Sequence, residues 1–72
     1  MKIYVRVKDK SIYNKVEEFG NNRYMVYTGY SLEDADLNQT IIGVMSKHLS
    51  APSGRFVLIS GQHDKDKVFD LN

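Results

Sequence analysis

The 72-residue chain has no cysteine, no tryptophan and a single proline, and its formal net charge is only +1. Without cysteine, neither a disulfide framework nor a thiolate metal site can supplement the core. A net charge this small gives no long-range electrostatic reason to expect nucleic acid or an anionic membrane as partner. No apolar run approaches the roughly 18–20 residues of a transmembrane helix, and the alternating start MKIYVRVK is unlike a signal peptide. These absences point to a cytoplasmic protein. The 42% hydrophobic and 26% charged content is that of an ordinary globular domain, and the length fits one domain over residues 1–72. A chain this short buries only about 60% of its unfolded surface, so each large apolar side chain counts.

The strongest local signal is a helix over Leu37 to Leu49. At 100° per residue, Leu37, Asn38, Ile41, Ile42, Met45, His48 and Leu49 share one broad arc, with Gln39, Gly43, Ser46 and Lys47 opposite. Glu33, Asp34 and Asp36 crowd its start, and Ser31 three residues before Asp34 resembles a capping box, so the first turn could begin as early as Leu32. Lys47 and His48 suit the negative end of the dipole, and Pro52 forbids continuation. Gly43 costs about 1 kcal/mol against Ala and lies away from the apolar arc, where packing does not call for it.

Around this helix lie strands. Lys2 to Lys8 alternates strictly, with Ile3, Val5 and Val7 on one face and Tyr4, Arg6 and Lys8 on the other. Ile12 to Phe19 fits either a helical turn or a hairpin arm leading to Gly20-Asn21-Asn22; the short strand is the preferred reading. Arg23 to Thr28 is a strand with Tyr24, Val26 and Thr28 on one side. After the helix, Ala51 to Gly54 forms a corner, Phe56 to Ser60 a nearly continuous apolar strand, and Lys67 to Leu71 a returning strand. The expected architecture is a two-layer α+β domain, with a mainly antiparallel four-stranded sheet and one main helix on one face in ββαββ order.

Asn38, Ile41, Ile42, Met45, Leu49, Pro52, Phe56, Leu58, Ser60, Gly61, Lys65, Asp66 and Lys67 carry a family pattern. An apolar helix, a Pro corner, a strand, Ser-Gly and then a basic residue before Asp-Lys resemble the YggU-like family of small single-domain proteins. Val5, Val7, Val16, Tyr24 and Val26 extend the likeness over the first half. Ala35 and Asp36 replace the family's Gly-Lys, and Asp9 stands where Pro is usual. The lost lysine removes positive charge from the helix start and weakens any anion binding carried over there. The resemblance implies the four-stranded sheet with one helix, and no established activity.

Candidate sites are few. Asn38 is a polar residue within the apolar arc, and an unpaired buried amide costs on the order of 1–3 kcal/mol. One reading joins Asn38 to Ser60, Gly61, Lys65 and Lys67 as a small binding corner; the other has Asn38 tying down the loop or the Ser-Gly turn. Gly61 suits a positive φ or a close backbone approach. Ser60 has no base at hand for nucleophilic work. His63, Asp64 and Asp66 sit among Lys65 and Lys67 on a loop, which argues for a solvated turn and against a metal site. No cofactor or metal is expected.

If the alternating apolar residues face the helix, the other face carries Tyr4, Arg6, Met25, Tyr27, Val57, Ile59 and Val68. That is apolar for an open face of an antiparallel sheet. Self-association or an unknown protein partner on Tyr4, Met25, Tyr27, Val57 and Ile59 is one explanation. Single-stranded nucleic acid on Tyr4 and Tyr27, with Arg6, Lys8 and Arg23 nearby, is another. Plain strand propensity is a third. The sequence thus suggests a non-enzymatic binding module, with nucleic-acid association as the alternative.

Overall fold

The computed structural model describes all 72 residues. Five strands and one long helix follow in the order β1 (Lys2–Lys8), β2 (Lys15–Gly20), β3 (Arg23–Tyr27), α1 (Leu37–Leu49), β4 (Phe56–Ser60) and β5 (Asp66–Leu71), with a 3-10 turn at Ser53–Arg55 before β4. The strands form a single sheet in the spatial order β2-β3-β1-β5-β4, and α1 packs on one of its faces. The α+β class is as expected. The strand count is not: the sheet has five strands rather than four.

The extra strand is β2. It forms an antiparallel hairpin with β3, from Lys15 opposite Tyr27 to Gly20 opposite Arg23, with a bulge between Glu18 and Gly20. Asn22 closes the turn with φ 56°, a left-handed conformation that asparagine tolerates. The hairpin turns β3 back into the direction of β1, so these two pair in parallel, with Val5 level with Tyr24 and Val7 level with Val26. β5 flanks β1 on its other side in antiparallel register, from Lys2 opposite Asp70 to Arg6 opposite Asp66. The sheet is therefore mixed, and β1 lies at its centre.

The helix begins later than the acidic cluster suggests. Ser31 and Asp34 do form a reciprocal pair, but it closes a separate turn. The Ser31 amide donates to Asp34 Oδ2 at 2.9 Å, the Ser31 hydroxyl bonds Glu33 Oε2, and Asp34 N–H returns to the Ser31 carbonyl. Asp36 occupies the N-cap without a side-chain bond. The C-terminus follows expectation: Lys47 and His48 lie in the last turn, Ser50 adopts a left-handed φ of 53°, and the Ala51 amide reaches back to the Ser46 carbonyl at 3.1 Å.

Ile41, Ile42, Met45 and Leu37 of α1 meet Ile3, Val5 and Val7 of β1, Tyr24 and Val26 of β3, Phe56 of β4 and Phe69 of β5 in one core. Val16, Leu58 and Leu71 pack at its margin. Period-two alternation in the strands and three-four spacing in the helix each deliver one apolar face, and burying the two together stabilises the domain by about 25 cal/mol per Å2 of apolar surface removed from water. His48 sits edge-on to Tyr24 at the core rim, with ring centroids 5.6 Å apart.

Candidate binding surfaces

The alternation that puts Phe69 and Leu71 of β5 beneath the helix also puts Lys67 there. Its side chain is 1% exposed. The Lys67 ammonium donates to the Gly61 carbonyl at 2.7 Å and the Gln62 carbonyl at 3.0 Å. Burial pushes its pKa below the usual lysine value, partly offset by Asp64. Asn38, in the first turn of α1, donates from Nδ2 to the same Gln62 carbonyl at 3.1 Å, while its Oδ1 is buried with no hydrogen-bond partner.

Helix start, β4–β5 connection and β5 thus converge as the sequence suggests, but only in part. Asn38, Gly61 and Lys67 come together. Ser60 does not: it is exposed at the end of β4, level with Val68 of the opposite sheet face across a bulge between Leu58 and Ser60. Lys65 is exposed, and its carbonyl, not its side chain, enters the network by accepting from the Val7 amide at 2.8 Å. Gly61 has φ 82°, and a Cβ there would lie 2.1 Å from the Asp66 carbonyl oxygen, so only glycine fits. Both donors of the corner end on backbone carbonyls of the connection. Their chemistry is that of a clamp on the turn.

The face of the sheet away from the helix is built differently. Tyr4, Arg6, Met25, Tyr27, Val57, Ile59 and Val68 occupy it as the alternation requires, joined by Lys15, Glu17, Arg23, Asp66 and Asp70. Arg6 Nε donates to Asp66 Oδ1 at 2.8 Å across the β1–β5 pair, which raises the Arg6 pKa further. The N-terminal ammonium reaches Asp70 at 3.1 Å. Tyr27 donates its hydroxyl to Glu17 at 2.9 Å, stacks on Tyr13 at 5.7 Å and lies beneath the Lys15 ammonium at 4.9 Å. The hydrogen bond from Tyr27, followed by that from Lys15, holds the Glu17 carboxyl below its usual range, and the Tyr27 phenol is raised in turn.

Tyr27 is therefore already occupied on its ring face and at its hydroxyl, and Met25 is half-buried between neighbours. Tyr4 is more open, with the Arg23 guanidinium 5.0 Å from its ring centroid. A shallow hollow of about 330 Å3 opens between Tyr4, Arg6, Phe19, Arg23, Asp66 and Val68. Phe19 is in phase with Lys15 and Glu17, the outward positions of β2, so it joins this face once β2 takes its place in the sheet. Lys8 is exposed at the end of β1, where its carbonyl accepts from Ser11 and Thr28.

The architecture defines a class, a mixed five-stranded sheet covered on one side by a single helix and open on the other. No family model matches the chain. No helix is long and apolar enough to cross a membrane.

Proposed function

We propose that this domain is a non-enzymatic binding module that offers the open face of its sheet to another protein surface. The observation that carries this reading is the exposure of Phe19, Val57 and Ile59, at 58, 50 and 50%, on a face that no helix covers. Aromatic and arginine side chains flank them, the residue types enriched where proteins meet. The Asn38–Lys67 corner is assigned to holding the β4–β5 connection, because its donors are spent on the carbonyls of Gly61 and Gln62. A YggU-like relationship and a cytoplasmic setting belong to the same proposal; they rest on the helix, Pro corner, strand and Ser-Gly order and on the alternating N-terminal segment.

The test is site-specific photo-crosslinking in cells, with the reactive residue at Ile59 in one version and at Gly43 in the other. A side chain at Gly43 meets nothing within 4 Å, so that version folds and reports on the helix surface. Adducts from position 59 and none from position 43 support the open face. Equal yields from both, or adducts from 43 alone, sink it.

Single-stranded nucleic acid is the second reading, favoured by the hollow between Tyr4, Arg6, Phe19 and Arg23. Strand alternation alone offers Tyr4, Tyr27, Arg6 and Lys8 for it, and the engagement of Tyr27 with Tyr13, Lys15 and Glu17 moves the stacking role to Tyr4 and Phe19. Binding that weakens steeply with salt and is lost in Phe19→Ala would establish it.

A further inference from the structure

The open face carries a charge pattern with its own symmetry. Along β1 the outward positions read Lys2, Tyr4, Arg6; along β5, at the same heights, they read Asp70, Val68, Asp66. A cationic row with an uncharged centre thus runs beside an anionic row with an uncharged centre, down the middle of the sheet. A two-fold axis lying over the face, parallel to the strands and between β1 and β5, keeps every residue at its height and exchanges the two rows. It places Lys2 above Asp70 of a second copy, Tyr4 above Val68 and Arg6 above Asp66, and the converse contacts follow by symmetry.

From this complementarity we infer that the occupant of the open face is a second copy of this chain, packed sheet on sheet about that axis. The inference rests on the open-face reading and names its partner. Stacked sheets lie about 10 Å apart, a gap that an arginine and an aspartate from opposite sides together span. Twist turns stacked sheets by about 30°, which misaligns outer strands most and the two rows beside the axis least. The Arg6–Asp66 bond of each copy becomes one half of a four-membered alternating cluster. β3 passes over β4, so Arg23 and Met25 of one copy approach Ile59 of the other. A standard interface takes about 800 Å2 from each partner. Against the 4606 Å2 surface of this domain, that requires most of the sheet face and not a patch of it.

Charge reversal tests the arrangement directly, by sedimentation equilibrium on the wild type, Arg6→Asp and Asp66→Arg, singly and mixed. Both side chains are largely exposed, at 59 and 72%, so the fold tolerates the changes, and circular dichroism verifies it. The wild type is expected to dimerise. Each variant alone faces itself with like charges and is expected to lose at least tenfold in self-affinity. An equimolar mixture restores opposite charges at both contacts and is expected to form a heterodimer. A wild type that stays monomeric at about 1 mM overturns the inference. So do variants that dimerise as the wild type does, because the contact then lies elsewhere. In the monomeric case, adducts from position 59 would still support the open face with a different protein upon it, so the two proposals fail separately.

Discussion

Lys67 and Asn38 donate to the same carbonyl, that of Gln62, from 3.0 and 3.1 Å. One comes from the last strand and the other from the first turn of the helix, so a single peptide group locks the β4–β5 connection to both layers. Removing the ammonium leaves the carbonyls of Gly61 and Gln62 without it and opens a cavity beneath the helix. Lys67→Ala is expected to lower stability by about 2–4 kcal/mol, read from urea unfolding. Lys67→Met keeps the stem packing and should cost clearly less; equal losses would show that the hydrogen bonds dominate.

Alkaline titration gives a second reading of the same side chain. Burial lowers the Lys67 pKa in the folded state below the 10.5 of an ordinary lysine. Between the two values the unfolded chain binds more protons than the folded one, so this group makes stability rise with pH across that window. The stability difference between wild type and Lys67→Met should therefore shift in favour of wild type as pH climbs toward 10.5. A difference flat with pH would mean that the folded pKa is not depressed.

Gly61 meets the Asp66 carbonyl where a Cβ would stand, at a φ of 82°. Gly61→Ala combines left-handed strain with a backbone clash and is expected to cost about 3 kcal/mol. Gly43→Ala, on the exposed side of α1, should stabilise by up to about 1 kcal/mol. Thermal melts of the two variants should move in opposite directions.

On the open face, Tyr27→Phe removes the hydroxyl that donates to Glu17. The Glu17 pKa is expected to rise toward its ordinary value, followed by carboxyl NMR shifts during acid titration. The sign for stability follows: Glu17 is depressed in the folded state, so its contribution is present above the unfolded pKa and is lost as pH falls through the folded one. The variant should lose less on acidification than the wild type.

Much of this molecule could be read from residue spacing. Ile3, Val5, Val7, Ile41 and Met45 fall where strand and helix periods place them, and the core they build is the expected one. Two kinds of feature escaped. Lys67 lies in phase with Phe69 and Leu71, so its burial was implicit in the alternation; charge masked it, because lysine is so seldom buried. Ser60 departs for another reason: it lies at a bulge, where one extra residue shifts the side-chain count and turns it to the face of Val68, away from Asn38 and Lys67. The strand at Lys15 to Gly20 is the preferred reading of an ambiguous segment, but its short length and mixed period leave it out of the four-strand count. The parallel pairing of β1 with β3 depends on which arm of the β2–β3 hairpin docks against β1, and no local pattern announces that.

The placing of β1 between β3 and β5 has a kinetic consequence. One flank of the central strand is closed by residues that lie some twenty positions on, the other by residues sixty or more positions on, as in the pair Lys2 and Asp70. The loop that must close before the second flank forms is nearly the whole chain, and its entropic cost precedes any reward from the ladder. Refolding should accordingly be slow for so small a domain, on the order of milliseconds to seconds and not microseconds, with the N-terminal half unable to hold its tertiary packing until the β4–β5 hairpin arrives.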